Sequence, residues 1–263
     1  MLFKVVFLQF LYDLSDRQVE EQVNLHLACK WFAGLQPEEA GPDHSALCRF
    51  RTRLGPEKFQ AIFNQIVQQA RAAGLVHDRL RIIDATHLAA KVDLFRLPAA
   101  RPETAPAEAV GSPDPDARFG RKSVKKSFYG YKEHLATDAD SEVFAPLVDH
   151  HTREVTADKG YDTNANHQKL KRRGQRSSII VKKNRTNADV IGQANPKSQR
   201  ERAKIERKFA EQKKYHGLRQ AHYWGLRRVT IQVLMTCLVV NCKRMVRLRE
   251  ASYAPPSIMP GLT

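Results

Sequence analysis

A basic segment close to the C-terminal end of the chain organises the rest of the sequence. Residues 198–218 read Ser-Gln-Arg-Glu-Arg-Ala-Lys-Ile-Glu-Arg-Lys-Phe-Ala-Glu-Gln-Lys-Lys-Tyr-His-Gly-Leu. The segment has no Pro, its single Gly is close to its end, and most of its residues are strong helix formers. This composition predicts one helix with Ser198 as its N-cap and Gly217 at its C-terminal end.

One face of this predicted helix carries a carboxylate between two cations. Arg202, Glu206 and Lys213 lie at positions i, i+4 and i+11. At about 100° per residue they fall within about 40° of one another. Such a face could hold a divalent metal through the carboxylate and phosphates through the cations. The same spacing is also typical of a solvated helix with i,i+4 ion pairs.

The composition calls for a polyanionic partner. The 263 residues include 44 Lys or Arg against 28 Asp or Glu, a formal charge of +16. Sixteen of the basic residues and only four acidic ones lie between Lys169 and Lys214. Nucleic acid and a membrane surface are the two partners that fit this excess. The longest apolar run, 229–242, is too short and too polar to span a bilayer.

The four cysteines indicate a reducing compartment. Cys29, Cys48, Cys237 and Cys242 form no C-x-x-C pair and have no His at zinc spacing. They are therefore interpreted as free or buried thiols, and the expected location is the cytoplasm.

Residues 1–75 have the pattern of short helices separated by tight turns. Gly55-Pro56 separates a short helix, 46–54, from a longer one. The short helix carries Arg49, Arg51 and Arg53, which are the predicted DNA-contacting residues of this region. The pattern suits a helix-turn-helix DNA-binding region, and it equally suits a plain helical bundle.

Residues 76–248 change to a pattern of strands and helices, which predicts an α/β domain. Short β-branched runs end in a carboxylate at Asp84 and at Asp158, and 178–181 is a third predicted strand. Residues 97–120 contain five prolines and few large apolar residues, which predicts an exposed insert. Strands that alternate with helices favour a mixed sheet whose parallel strands gather ligands at their carboxyl ends.

Three carboxylates are expected to meet at that edge of the sheet: Asp84, Asp158 and Glu206. An oxygen-only set of ligands suits Mg²⁺ or Mn²⁺. Two such ions about 3.5–4 Å apart would clamp the attacking and leaving oxygens of a phosphodiester, while nearby cations bind the backbone. Taken singly, each Asp also fits a turn-forming or N-cap residue.

These motifs together resemble a known family. Ile-Ile-Asp-Ala-Thr at 82–86, Ala-Asp-Lys-Gly-Tyr-Asp at 157–162, Tyr-Gly-Tyr-Lys-Glu-His at 129–134 and the Arg-x₃-Glu-x₆-Lys face look like the signature of DDE transposases from bacterial insertion sequences. The resemblance is to the branch related to insertion sequence five, and it runs from about residue 5 to residue 248.

The resemblance implies a ribonuclease-H-like catalytic domain over 76–248, preceded by an all-α DNA-binding region over 1–75 and followed by a tail, 249–263. It implies an enzyme that cleaves DNA and transfers the freed strand, using Mg²⁺ or Mn²⁺, with two ions expected. Asp84, Asp158 and Glu206 would be its catalytic metal ligands, and Arg202 and Lys213 would hold DNA. The implied partners are double-stranded DNA and a second copy of the chain in a homodimer on DNA, in the nucleoid of a bacterial cytoplasm.

Two features depart from that pattern. Gln199 stands where the family has a Tyr. If 142–148 is the third antiparallel strand of such a domain, only five residues, 149–153, are left to connect it to the strand that ends at Asp158. Five residues reach less than about 20 Å, and a crossover between parallel strands needs a dozen or more. The sequence therefore predicts that the third antiparallel strand or the crossover helix is missing. The alternative function is a truncated, non-catalytic DNA-binding remnant.

Overall fold

A computed structural model describes residues 1–93, 112–123, 126–147, 150–182 and 195–253. Its helices are α1 (Leu2–Leu11), α2 (Asp16–Leu25), α3 (Leu27–Ala33), α4 (His44–Ala72), α5 (Asn164–Arg172), α6 (Pro196–Arg200), α7 (Ala203–Tyr215) and α8 (Leu226–Tyr253). Its strands are β1 (Leu80–Ala89), β2 (Arg118–Ser123), β3 (Lys126–Asp138), β4 (Phe144–Ala145), β5 (Glu154–Ala157) and β6 (Arg176–Ser177).

The N-terminal region is helical, and local signals set where its helices begin and bend. Ser15 and Gln18 form a capping box at the start of α2, and the side chain of Asp43 accepts from the Ala46 N–H at the start of α4. Gly55 has a φ of 70° and a ψ of 164°, so α4 is two helical pieces joined by a kink. The predicted break at Gly55-Pro56 is confirmed as this kink, because a positive φ suits Gly and Pro fits the start of the next helical piece.

The predicted helix over 198–218 is divided in two. Asn195, not Ser198, caps the first piece: its side chain accepts from the Lys197 N–H, and Pro196 occupies the first helical turn. Helix α6 ends at Arg200, and α7 begins three residues later. Ser198 is instead buried and donates to Glu154 Oε1 at 2.5 Å, which fastens α6 to β5.

The sheet has the order β2-β3-β1-β5-β6, with β4 paired to β3 beside this path. Strands β1 and β3 are antiparallel over nine residue pairs, whereas β1 and β5 are parallel over four. The third parallel strand lies at 176–177, two residues before the predicted run 178–181. The predicted insert 97–120 is only partly in the described chain: 118–120 belong to β2, and Asp114 is buried against the Tyr131 hydroxyl.

The helical N-terminal region and the sheet share one hydrophobic core. Buried residues of α1 and α4 cluster with Leu80 and Ile82 of β1, Ile205 of α7 and the apolar side of α8. Helix α8 is long and apolar enough to cross a membrane by composition, but 61% of that stretch is buried in the structure, which is equally typical of a core helix. Burial of this apolar surface is what holds the predicted two regions together.

The short connection before β5 agrees with the prediction from the sequence. Only two residues, Phe144 and Ala145, remain as the strand next to β3 at this point, and no helix is found among the described residues between β4 and β5. On the outer side of β4, the amide of Asn241 takes the place of a neighbouring strand. Its Oδ1 accepts from the Phe144 N–H at 2.7 Å and its Nδ2 donates to the Phe144 carbonyl at 2.8 Å.

Replacing Asn241 should therefore destabilise the protein. Asn241 and Phe144 are fully buried, so Asn241→Ala leaves an N–H and a carbonyl without partners, at an expected cost of about 2–3 kcal/mol. Asn241→Asp should cost at least as much, because a carboxylate cannot donate to the carbonyl. Urea denaturation measures both. Thr230→Ala on the same helix should change the free energy of unfolding by less than about 0.5 kcal/mol, and an equal effect of Asn241→Ala would contradict the role of this amide.

One carboxyl group is buried on the sheet without a partner. Glu133 lies opposite Thr86 in the β1–β3 register and is 8% exposed. Neither of its oxygens has a hydrogen-bond partner among the described residues. Burial raises the pKa of Glu133 to about 8, although the nearby charge of Lys213 opposes the shift. Glu133 is therefore a neutral acid below that pH.

This pKa predicts how stability depends on pH. Between about pH 4.5 and pH 8 the unfolded chain loses the Glu133 proton and the folded chain keeps it, so the free energy of unfolding falls as pH rises through this window. Glu133→Gln stays neutral throughout. The variant should match the parent at pH 4.5 and be more stable at pH 8, by about 2–4 kcal/mol. Denaturation midpoints at both pH values measure this. Glu21→Gln, at an exposed site, should show no such difference, and a pH-independent effect of Glu133→Gln would refute the buried neutral acid.

Candidate functional site

The sheet brings two of the three predicted carboxylates side by side. Ile83 pairs with Ala157 in the parallel β1–β5 register, so the next residue of each chain segment is Asp84 and Asp158. Asp158 directly follows β5, and its Oδ1 accepts from the Gly160 N–H at 2.7 Å. Asp84 is not at the end of its strand as predicted, because β1 continues along β3 to Ala89. It lies where the parallel partner stops, which leaves that side of β1 open until Ala89, which pairs with Gln220.

Helix α7 lies against β1 with its predicted functional face. The guanidinium of Arg202 donates to Asp84 Oδ2 at 3.3 Å, and the Lys213 ammonium donates to the Thr86 hydroxyl. Asp84 and Thr86 are on the same side of β1, because side chains alternate along a strand. Glu206 is on the same helical face between these two cations. The contacts of Arg202 and Lys213 with β1 therefore support the predicted arrangement of α7 over the carboxylates.

The predicted convergence of all three carboxylates is not seen among the described residues, and it stays a prediction. Glu206 is exposed and forms no hydrogen bond or ion pair with a described residue. Within the described ranges no group of three His, Cys, Asp or Glu side chains is arranged to hold a metal ion. Asp84 forms an ion pair with Arg202 on this side of β1. The adjacent carboxylates of Asp84 and Asp158 still offer the hard oxygen donors that Mg²⁺ prefers.

A tyrosine–histidine pair, for which the sequence predicted no role, borders the two carboxylates. The Tyr161 hydroxyl and His134 Nδ1 are 2.7 Å apart. Burial, followed by the negative charges of Asp84 and Asp158, raises the pKa of Tyr161. Burial and the charge of Lys132 lower the pKa of His134, so its neutral ring can accept the Tyr161 proton in a hydrogen bond. Both residues lie in quoted motifs, but only the folded chain shows that they meet.

The loop after Asp158 is held by a second carboxylate. Asp162 is buried, and it accepts from the Lys182 N–H and contacts His167 Nε2, both at 2.8 Å. His167 Nδ1 in turn lies 2.9 Å from the Ser177 hydroxyl. These contacts tie α5 and β6 to the 3₁₀ turn over 159–161, and they fix the position of Asp158 at the edge of the sheet.

The three predicted DNA-contacting arginines of the N-terminal region do not share one surface. Arg49 and Arg53 are exposed, and Arg49 donates to the Ser45 hydroxyl at 2.8 Å and lies 3.9 Å from an oxygen of Asp43. Arg51 is buried, where it forms an ion pair with Asp16 and stacks 5.1 Å from the Tyr223 ring. The prediction for Arg51 is therefore wrong. At about 100° per residue, positions 49 and 53 share a helical face and 51 points away from it.

Comparison with protein-family models gives two matches at the two ends of the chain. Residues 1–53 match a transposase domain, DUF772, and residues 154–246 match a transposase DDE domain. The second match contains Asp158, Arg202, Glu206 and Lys213, whereas Asp84 lies outside both. No curated protein and no solved structure matched the chain. The two family matches support a transposase of the DDE type, with an α/β catalytic region.

Proposed function

We propose that this protein is a DNA transposase that cleaves DNA at the ends of an insertion sequence and transfers the freed strand to a target. The observation that carries the proposal is the position of α7, which brings Arg202 onto Asp84 beside Asp158. This contact joins residues that are 118 positions apart in the chain. The two transposase-domain matches support the same function independently.

The DDE transposase family implies a divalent metal, and the proposal includes Mg²⁺ or Mn²⁺, with two ions. Asp84, Asp158 and Glu206 would hold the metal, which would activate water or a 3′-hydroxyl and neutralise charge on the phosphate. The adjacent pair of aspartates fits this role. Glu206 fits by its helical face and exposure, since a movement of its exposed side chain meets no existing hydrogen bond or ion pair within the described chain.

The protein's own residues would bind and orient the DNA. In the proposal, Arg202 and Lys213 exchange their present contacts with Asp84 and Thr86 for DNA phosphates. The Tyr161–His134 pair forms a fixed wall next to the carboxylates. Exposed Arg49 and Arg53 are available on α4 for the backbone of the same or a neighbouring duplex.

The finer assignments follow from the motifs and belong to the proposal. They are a ribonuclease-H-like class for the catalytic region over 76–248, a DNA-binding role for 1–75, and relationship to insertion sequence five. They also include a homodimer on DNA and association with the bacterial nucleoid. A transposase acts on DNA in the cytoplasm, and the net charge of +16 supports electrostatic attraction to double-stranded DNA.

A second candidate is the non-catalytic DNA-binding remnant. Two observations favour it: the short connection before β5, and the position of Glu206 outside any three-carboxylate group of the described residues. Both candidates predict binding to DNA. Only the transposase predicts cleavage.

Neutralising single carboxylates should separate binding from cleavage. Asp84→Asn, Asp158→Asn and Glu206→Gln each remove one charge at nearly constant shape, so Mg²⁺-dependent nicking of DNA that carries the element's ends should fall at least about 100-fold while DNA affinity is kept or increased. Glu201→Gln, in the turn before α7, should cleave as the parent does. A parent protein that binds these ends but never nicks them would favour the remnant.

The salt dependence of binding tests the phosphate contacts. Arg202→Ala and Lys213→Ala should each reduce the slope of log K against log salt concentration by about 0.9 on duplex DNA, because each lost phosphate contact releases one fewer counterion. Arg51→Ala should instead lower the melting temperature, since it breaks a buried ion pair. Titrations at several salt concentrations give the slopes. Lys58→Ala, an exposed charge on α4, is the control, and a slope change equal to that of Arg202→Ala would show only a general charge effect.

A further inference from the structure

A cationic cavity lies on the side of α7 that faces away from the candidate catalytic carboxylates. It has a volume of about 670 Å³ and is bordered by the end of α1, by α7 and by α8. Its polar and aromatic lining includes Arg207, Glu211, Lys214, Tyr215, Lys243 and Arg247. The charged and aromatic residues of α7 in this lining, Arg207, Glu211, Lys214 and Tyr215, are about 80–180° round the helix from Glu206. The cavity is therefore a separate surface from the face that touches β1.

Positive charge dominates this cavity. Four cations in the lining face one carboxylate, Glu211, which accepts from Lys243 at 3.1 Å. Arg207 shares Glu142 with two further cations, Lys208 and Arg244. The exposed side chains of Lys214 and Arg247 form no ion pair with a described residue. Lys214 also compensates the negative end of the α7 dipole, so Arg247 is the cation that is most available to an anion.

The cavity wall is built from fixed groups. The ring of His216 is buried: its Nδ1 lies 2.9 Å from the Phe10 carbonyl and its Nε2 lies 3.1 Å from the Lys243 ammonium. Because the carbonyl can only accept, Nδ1 donates and Nε2 accepts from Lys243. This contact and Glu211 hold the ammonium of Lys243 in place, so its orientation needs no further ordering when an anion binds.

An exposed aromatic ring lies among these cations. Tyr215 is 53% exposed, and the ammonium groups of Lys214 and Lys243 are 5.0 Å and 5.8 Å from its ring centroid. Exposed aromatic rings between cations are what proteins use to bind unpaired nucleic acid, since a base stacks on the ring while the phosphates contact the cations. Bases in an intact duplex are already stacked on each other and cannot use the ring in this way.

A second cavity extends the same surface with apolar residues. It shares Leu11, Lys243 and Arg247 with the cationic cavity and is lined by Phe3, Phe7 and Phe32. The two cavities together offer cations at their common border and apolar surface on one side. A strand that carries both charged phosphates and apolar base faces matches this combination, whereas free phosphate matches only the cations.

We propose that the Lys214–Tyr215–Arg247 surface is a second DNA site, which binds an unpaired single strand through stacking on Tyr215 and phosphate contacts with the two cations. The inference rests on the proposed function, because strand cleavage and transfer are what would expose unpaired DNA. In this proposal the Lys214–Tyr215–Arg247 surface holds a strand that is not being cut, away from the carboxylates.

The test compares the affinity of the full-length protein for a fluorescent 20-nucleotide single strand and for a blunt duplex of the same length. The double variant Lys214→Ala, Arg247→Ala should flatten the log–log salt slope on the single strand by about 1.4, from two lost contacts at about 0.7 each. Tyr215→Ala should weaken single-strand binding at least about fivefold, from the lost stacking, and Tyr215→Phe should restore it. Duplex binding should change less in every case.

The matched control is Lys171→Ala, Arg172→Ala, which removes the same charge from α5 on the other face of the sheet. An equal loss in this control would reduce the result to net charge and overturn the proposal. So would a Tyr215→Phe variant as weak as Tyr215→Ala, or displacement of the strand by inorganic phosphate or polyglutamate at matched ionic strength regardless of Tyr215. Melting temperatures confirm that each variant is folded.

A further arm separates this site from the proposed function. Arg202→Ala, Lys213→Ala should lose duplex affinity and keep single-strand affinity if the two sites are independent. If the parent protein cleaves duplex ends but the Lys214→Ala, Arg247→Ala variant binds the single strand as the parent does, only the proposal of the second DNA site is overturned. A parent that binds neither form of DNA would overturn both proposals.

Discussion

Strand β1 is the constraint on which the rest of the structure depends. It is paired to β3 on one side along almost its whole length, but to β5 on the other side only from Leu80 to Ile83. The backbone therefore lacks a parallel neighbour from Asp84 onward, until Ala89 pairs with Gln220. This difference in length between the two pairings creates the open edge, and Asp158 and α7 take their positions from it.

The shortened strand before β5 is stabilised by side chains in place of missing backbone. Asn241 bonds both polar groups of Phe144, and Arg81 donates to the Pro146 carbonyl at 2.8 Å. Asp138 accepts from the Asp78 N–H and the Ser141 N–H, which holds the turn between β3 and β4 against the start of β1. Because buried backbone groups need partners, these contacts explain how a two-residue strand persists without the crossover helix.

Helix α7 has two surfaces that differ in how their positive charges are paired. On one side, Arg202 and Lys213 are held against β1 by Asp84 and Thr86, close to the buried acid Glu133. On the other side, cations outnumber carboxylates and surround the exposed ring of Tyr215. The cations of the first surface are bound to protein groups in this conformation. This surface would exchange these protein partners for DNA and metal. The second is already open to an anionic partner.

The sequence by itself determined which candidate groups this protein carries and how they are spaced, because motif spacing and composition depend only on local order. The face that carries Arg202, Glu206 and Lys213, the carboxylate after β5, the kink at Gly55 and the short connection before β5 all follow from such local signals. Three features depended on contacts between distant segments. Asn195 displaced Ser198 as the cap because Ser198 binds Glu154 across the fold. Arg51 turned inward because Asp16 and Tyr223 meet it there. Asp84 is bound by Arg202, a contact that the motif spacing did not indicate. Folding brings several possible partners near each of these side chains, and the local sequence does not indicate which of them the side chain binds.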